Sequence, residues 1–173
     1  MYSNGEGVTE DDKATVKWYR LAADQGNAQA QFNLGLMYDN GEGVLEDDKE
    51  AVKWYRLAAD QGAAPAQFNL GIKYDNGEGV LQGHNEAVWW YRKAAEQGVA
   101  DAQYNLGIKY GTGQGVPQNF VTAYTWINIA EANGRDVKKF KELLDGKITL
   151  NQIAKSQELA KEMIKKNPKL INK

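Results

Sequence analysis

The chain has 173 residues, enough for a large core, and its lack of cysteine excludes a disulfide framework, a thiolate nucleophile and a cysteine-ligated metal site. No stretch is apolar over the length that a bilayer requires, and the first residues do not read as an export signal, so we expect no membrane insertion. The net charge of −2 is the sum of −8 over residues 1–134 and +6 over residues 135–173. Because the basic tail lacks aromatic residues between its lysines, we expect its charges to form a solvated helix face and we expect no nucleic-acid binding.

A repeat of 36 residues organises the sequence. NGEGV begins at Asn4, Asn40 and Asn76, and a weakened copy, TGQGV, begins at Thr112. Residues 27–62 and 63–98 are identical at 25 of 36 positions. A fixed period of this size is typical of solenoids. We therefore predict one domain made of a partial repeat at 1–26, full repeats at 27–62, 63–98 and 99–134, and a C-terminal segment at 135–173.

The first repeat differs from the others because Met1-Tyr2 aligns with Met37-Tyr38. We expect only its second helix, about Glu10 to Asp24, which leaves Trp18 without its usual partner. We therefore expect either a fragment of a longer array or an end that associates with another chain.

Each full repeat reads as two antiparallel helices joined by a turn. In the second repeat, residues 28–38 contain no helix breaker except Gly35, and Ala30, Leu34 and Tyr38 share one face. NGEG then ends the helix, since glycine supplies the positive φ of a helix end. The second helix is predicted from about Asp47 to Asp60. Gly35, Gly71 and Gly107 are expected where paired helices approach closely.

The C-terminal segment is predicted to close the array. Residues 135–144 look helical, and Gly146 interrupts them. Thr149 and Gln152 have the spacing of a capping box that starts a last helix, and Pro168 follows its end. We interpret this pair of helices as the C-terminal cap that a repeat array needs.

The motifs AQFNLGLMYDNGEGV and EAVKWYRLAADQG resemble those of the Sel1-like repeat family, relatives of the tetratricopeptide repeats. The resemblance covers residues 1–134 and weakens at Thr112, Gln114, Ile127 and Asn128. It implies an all-α, right-handed α-solenoid of antiparallel helix-turn-helix repeats. It also implies a concave surface that binds other proteins, often in bacterial signalling, envelope assembly or host contact.

The candidate binding stripe lies on the side of each first helix opposite its partner helix. Asn33, Asn69 and Asn105 recur directly before Leu-Gly, and their amides could pair with the main chain of a peptide or tie one repeat to the next. Lys73 and Lys109 suit a partner carboxylate or are ordinary solvated lysines. The apolar members of the stripe include Leu36, Met37, Ile72 and Ile108.

Tryptophans provide one further candidate. Trp54 and Trp90 recur at a position predicted to be buried, so we interpret them as structural. Trp89 replaces Lys17 and Lys53 on a more exposed face, which makes it a candidate contact with a partner.

Catalytic and cofactor chemistry find little support in the sequence. His84 is the single histidine and Ser3 and Ser156 are the two serines, so a Ser-His-Asp arrangement is not expected, and we predict no cofactor and no metal.

We predict a non-catalytic protein–protein interaction module that binds a peptide or protein surface in the groove. Two alternatives stay open: a β-lactam or peptidoglycan-fragment binder with weak hydrolase activity, implied by a cysteine-rich branch of the family, and a self-associating structural array. The compartment is left undetermined.

Overall fold

A computed structural model of the protein describes residues 10–144 and 146–171. Within these residues all regular structure is helical, with no strand, which confirms the predicted all-α fold of helix-turn-helix repeats. The helices are α1 (Glu10–Asp24), α2 (Ala28–Asn40), α3 (Asp48–Asp60), α4 (Ala64–Asn76), α5 (His84–Ala95), α6 (Ala100–Thr112), α7 (Phe120–Ala132), α8 (Lys138–Leu144) and α9 (Leu150–Lys166), followed by a short 3-10 turn at Pro168–Leu170. None of these helices has both the length and the apolar character needed to cross a membrane.

The helices form two compact units, Met1–Gln82 with α1 to α4 and Gly83–Lys173 with α5 to α9. The single domain predicted for residues 1–173 stays a prediction. The NGEGV copy at Asn4 and the start at Met1-Tyr2 lie outside the described residues.

In the first unit, α2 packs against both α1 and α3, and α4 packs against α3. Helix α2 is thus covered by its own partner α3 and by α1 of the preceding repeat. Leu34 is fully buried, and Trp54 is 4% exposed in the same cluster. A Cβ on Gly35 would lie 2.6 Å from the Tyr55 ring, so the glycine allows α2 and α3 to approach, as predicted.

The turn between α2 and α3 follows from the NGEGV motif. Gly41 adopts the left-handed conformation that ends α2, and the Asp47 side chain caps α3 by accepting from the backbone amides of Lys49 and Glu50. Between them, Val44 packs against the core of the unit. The predicted turn of an antiparallel helix pair is confirmed.

In the second unit, α6 packs against α5 and α7, and α7 packs against α8 and α9. Thr149 and Gln152 form the predicted capping box at the start of α9. The core around Ile127, Phe140 and Leu144 joins α7 to α8, and α9 adds Ile153 to it. The C-terminal helices therefore cover α7.

Candidate protein-binding surface

The first helix of each full repeat, called helix A (α2, α4 and α6), packs against the preceding repeat and keeps one narrow side at the surface. Helices α2 and α6 also pack against their partner helices α3 and α7. In the first unit we call this side the helix A surface. Its members occupy equivalent positions of α2 and α4, and all are exposed or half-buried: Gln29, Asn33 and Leu36 on α2, and Pro65, Asn69 and Ile72 on α4. Its amides and apolar side chains could contact a peptide by hydrogen bonds and by burial.

The three predicted asparagines lie in different surroundings. Asn33 is half-buried, and its Oδ1 accepts a hydrogen bond from Nε2 of the exposed Gln29 at 3.0 Å. The Asn69 side chain interacts with the hydroxyl of Tyr55, a residue of the preceding repeat, and acts to lower the pKa of that hydroxyl. Asn105 is half-buried on α6 of the second unit. Of the two roles left open by the sequence, Asn69 therefore has a contact of the inter-repeat kind, whereas binding at all three positions stays a prediction.

Tyr55 is fully buried at the junction of the second and third repeats. Its hydroxyl donates to Oδ2 of Asp39 at 2.9 Å. Burial, and secondly the hydrogen bond and the charge of Asp39, raise the pKa of Tyr55 above its ordinary value. The hydroxyl is therefore a permanent donor that orients the Asp39 carboxylate.

Lys73 meets this carboxylate from the next repeat. Its Nζ pairs with Asp39 of α2, with Oδ1 of Asp48 at 2.7 Å and with Oε2 of Glu78 at 3.1 Å. Burial acts to lower the pKa of Lys73, but these carboxylates outweigh it, so the pKa lies above its ordinary value. Lys73 is 6% exposed and its charge is neutralised within the chain, so it does not offer a solvated ammonium to a partner.

Two other residues of the binding stripe are also buried, although the helical wheel predicts that they face outward. Met37 is 7% exposed and belongs to the core of the first unit. Lys109 is 4% exposed in the second unit, where its Nζ donates to Oε1 of Gln114 at 3.2 Å. The physical reason is the second packing side of helix A, which a wheel drawn for an isolated helix pair omits. Ile72 is half-buried, and Ile108 packs against the core of the second unit.

The tryptophans follow the sequence prediction. Trp54 and Trp90 are buried, whereas Trp89 is 51% exposed on α5. The Trp89 ring contacts the Trp90 ring edge-to-face at a centroid distance of 4.3 Å, and the Lys93 ammonium lies 5.0 Å from its centre. Trp89 is thus a fixed aromatic surface with a cation beside it, and its contact with a partner stays a prediction.

A buried glutamine ties successive repeats together, and sequence reasoning missed it. Gln31 Nε2 donates to the Ala23 carbonyl at the end of α1, and Gln67 Nε2 donates to the Ala59 carbonyl at the end of α3, each at 3.1 Å. Oε1 of the Gln31 side chain in turn accepts a hydrogen bond from Nε2 of Gln61 at 2.7 Å. A sequence signal for this contact was present, because the pair Ala-Gln recurs in every helix A.

The arginine that follows each recurring Trp-Tyr pair, at positions 20 and 56, forms a second recurring contact between repeats. Arg20 donates to the Tyr38 hydroxyl, and Arg56 donates to the Tyr74 hydroxyl. Their guanidinium carbons lie 5.6 and 5.7 Å from the same rings. Each arginine thus joins the second helix of one repeat to the end of helix A in the next. The constant separation of 18 residues was visible in the sequence.

One open depression of about 440 Å³ lies along α3. Its lining includes three cations and one partly exposed apolar side chain: Lys49, Lys53, Arg56 and Leu57. Since Arg56 is held by Tyr74 and Lys53 pairs with Glu50 at 3.1 Å, two of the cations already have partners.

The Sel1 repeat model matches residues 1–27, 28–62, 64–99 and 100–134. The chain belongs to the Sel1 repeat family. Among solved structures, a protective antigen with an SLR fold from uropathogenic Escherichia coli is 31% identical over 90% of this chain and 42% of its own, with a TM-score of 0.66. A Sel1 repeat protein from Oxalobacter formigenes is 40% identical over 70% of this chain and 49% of its own, with a TM-score of 0.68.

No curated protein matches the chain. The chain spans less than half the length of the two solved Sel1 repeat structures. Sel1 repeats are generally protein-interaction modules and typically non-catalytic scaffolds, and this chain shares their repeats over residues 1–134 with one short interruption.

Proposed function

We propose that this Sel1 repeat chain is a non-catalytic module that binds an extended peptide segment of another protein along the helix A surface. The observation that carries the proposal is the recurrence of this surface. Helices α2 and α4 each keep an exposed or half-buried residue at three equivalent positions, and each has an asparagine followed three residues later by an apolar side chain.

The chemistry of these positions suits an extended segment. An asparagine or glutamine amide carries both a donor and an acceptor, so it can pair with a peptide main chain of any sequence. Leu36 and Ile72, both half-buried, provide apolar contact beside the amides. Since the Lys73 ammonium is already paired with three carboxylates, we do not assign it to recognition of a partner carboxylate.

The test begins with selection of peptides from a displayed random library against the folded chain. Affinities of the selected peptides are then measured by fluorescence polarisation for the wild type and for Asn33→Ala combined with Ile72→Ser. Both residues are partly exposed, so the variant is expected to fold, which circular dichroism checks. Loss of a peptide hydrogen bond and an apolar contact should weaken binding on the order of tenfold or more.

Asn151→Ala, at an exposed position of α9, is the matched control and should leave the affinity unchanged. Asn69 is not used as the main test position because its amide also contacts Tyr55. The proposal fails if selected peptides bind the folded double variant as tightly as the wild type.

A further inference from the structure

Two leucines are exposed at equivalent positions of the loops that join the helices of a repeat. Leu45 is 80% exposed after α2, and Leu81 is 91% exposed after α4. Both directly follow the valine of NGEGV, and Val44 packs on the core while Leu45 points to solvent. Single exposed leucines are common on protein surfaces, but the same strongly exposed leucine in two successive repeats is a recurring surface feature.

The loops that carry these leucines have a fixed backbone. A Cβ on Gly43 would lie 2.4 Å from the Asp12 carbonyl oxygen, and one on Gly79 would lie 2.3 Å from the Asp48 carbonyl oxygen. Each loop is thus packed on the first turn of the preceding repeat's second helix. The Asp47 amide also donates to the Tyr38 carbonyl at 2.9 Å. Both leucines therefore occupy equivalent loops of the first unit that pack on the preceding repeat.

This surface is acidic around Leu45. We define the leucine edge as Leu45 and Leu81 with the exposed carboxylates of Glu42, Glu46 and Asp47. Residues 1–82 contain 14 of the 23 acidic residues and 7 of the 21 basic ones, a net charge of −7. Such a surface repels anionic lipid and attracts a cationic partner. In the fourth repeat proline replaces the leucine, at Pro117, so the pair belongs to the first unit.

We propose that the leucine edge is a docking surface for a basic amphipathic helical segment of a partner protein. The apolar face of that segment covers Leu45 and Leu81, and its lysines or arginines pair with the carboxylates of the edge. Packed helices lie about 8–10 Å apart, and a helix of about 14 residues is about 20 Å long, so such a segment reaches across neighbouring repeats. This surface is separate from the helix A surface.

The test uses a fluorescein-labelled peptide of about 14 residues made only of leucine and lysine at amphipathic helical spacing. Fluorescence polarisation with the full chain should show saturable binding that weakens as salt is added. Leu45→Ser combined with Leu81→Ser should weaken binding on the order of tenfold, since two apolar contacts are lost. Glu42→Gln combined with Glu46→Gln should reduce the dependence on salt.

Leu150→Ser is the matched control, because Leu150 is 84% exposed in the second unit, and it should change the affinity by less than about twofold. Equal binding of the peptide by the folded double-leucine variant would overturn the proposal. So would equal binding of a leucine–glutamate peptide of the same spacing. Dimerisation of the wild type that the double-leucine variant abolishes, measured by sedimentation, would instead assign the edge to a second copy and also overturn it.

Discussion

Position 73 holds a lysine in the third repeat, whereas the equivalent position 37 in the second repeat holds a methionine. Both side chains are buried, so the site accepts a long side chain of either kind. The difference lies in the surroundings, because Lys73 is enclosed by the carboxylates of Asp39, Asp48 and Glu78. Lysine at this position therefore stabilises the junction by neutralising carboxylates that would otherwise repel each other.

We predict that Lys73→Met lowers the free energy of unfolding at neutral pH by about 2 kcal/mol, between the values typical of exposed and of buried ion pairs. The three carboxylates keep some contact with solvent, which limits the loss. Urea unfolding measures the change. Lys49→Met, which removes an exposed lysine of α3, serves as the control and should cost less than about 0.5 kcal/mol, as surface substitutions usually do.

The same variant should change how stability depends on pH. The pKa of Lys73 is raised in the folded protein, so its stabilisation is complete below the unfolded value of about 10.4 and is lost as pH rises above it. The raised pKa of Tyr55 acts in the same direction from about pH 10. Lys73→Met should therefore lose less stability than the wild type above about pH 10. If the unfolding free energies of the two proteins fall in parallel as pH rises, the ion pairs assigned to Lys73 are contradicted.

At the scale of elements, the second glycine of NGEGV decides how closely successive repeats approach. Gly43 has φ +71° and faces the backbone of α1, whereas Gly62 has φ +91° and a Cβ added to it would meet no atom within 4 Å. The two glycines therefore share a left-handed conformation and differ in available space. Replacing each of them with alanine therefore distinguishes the cost of backbone strain, which both positions share, from the cost of a packing clash, which only Gly43 has.

We predict that Gly62→Ala costs about 1 kcal/mol, the strain of a left-handed alanine, and that Gly43→Ala costs about 2 kcal/mol more. The excess arises because the backbone carbonyl of Asp12 cannot move without shifting α1. Urea unfolding with unchanged circular dichroism of the native state gives both values. Equal losses would show that α1 moves aside easily and that the loop is not tightly packed on it.

The helices and their ends could be predicted from sequence because local physics determines them. Glycine conformation and the Thr149–Gln152 capping box act within a few residues and were predicted from the sequence. Asp47, predicted as the first residue of α3, instead caps it from the preceding position. The surroundings of helix A could not be predicted in the same way. A helical wheel separates one buried face from one exposed face, but α2 is covered by both α1 and α3, so the burial of Met37 depends on residues of the preceding repeat.

At the scale of the molecule, the same contacts recur because the same residues recur every 36 positions. Within the first unit, the glutamine and arginine ties occur twice each, joining α1 to α2 and α3 to α4. Surface residues outside these glutamine and arginine contacts can change from repeat to repeat without removing the contacts. Successive repeats can therefore keep one fold while Trp89, Leu45 and Leu81 give particular repeats their own surfaces.

The distribution of the five tryptophans offers a direct check of this division between shared core and individual surface. Trp54, Trp90 and Trp126 are buried, whereas Trp18 is 71% and Trp89 is 51% exposed. We predict that acrylamide quenches two classes of tryptophan in the native chain, and that Trp18→Phe combined with Trp89→Phe removes the accessible class. Urea should make the remaining three accessible, since unfolding exposes the core. If Trp89→Phe alone leaves quenching unchanged, Trp89 is covered in solution, and the surface assigned to α5 is then buried by another molecule.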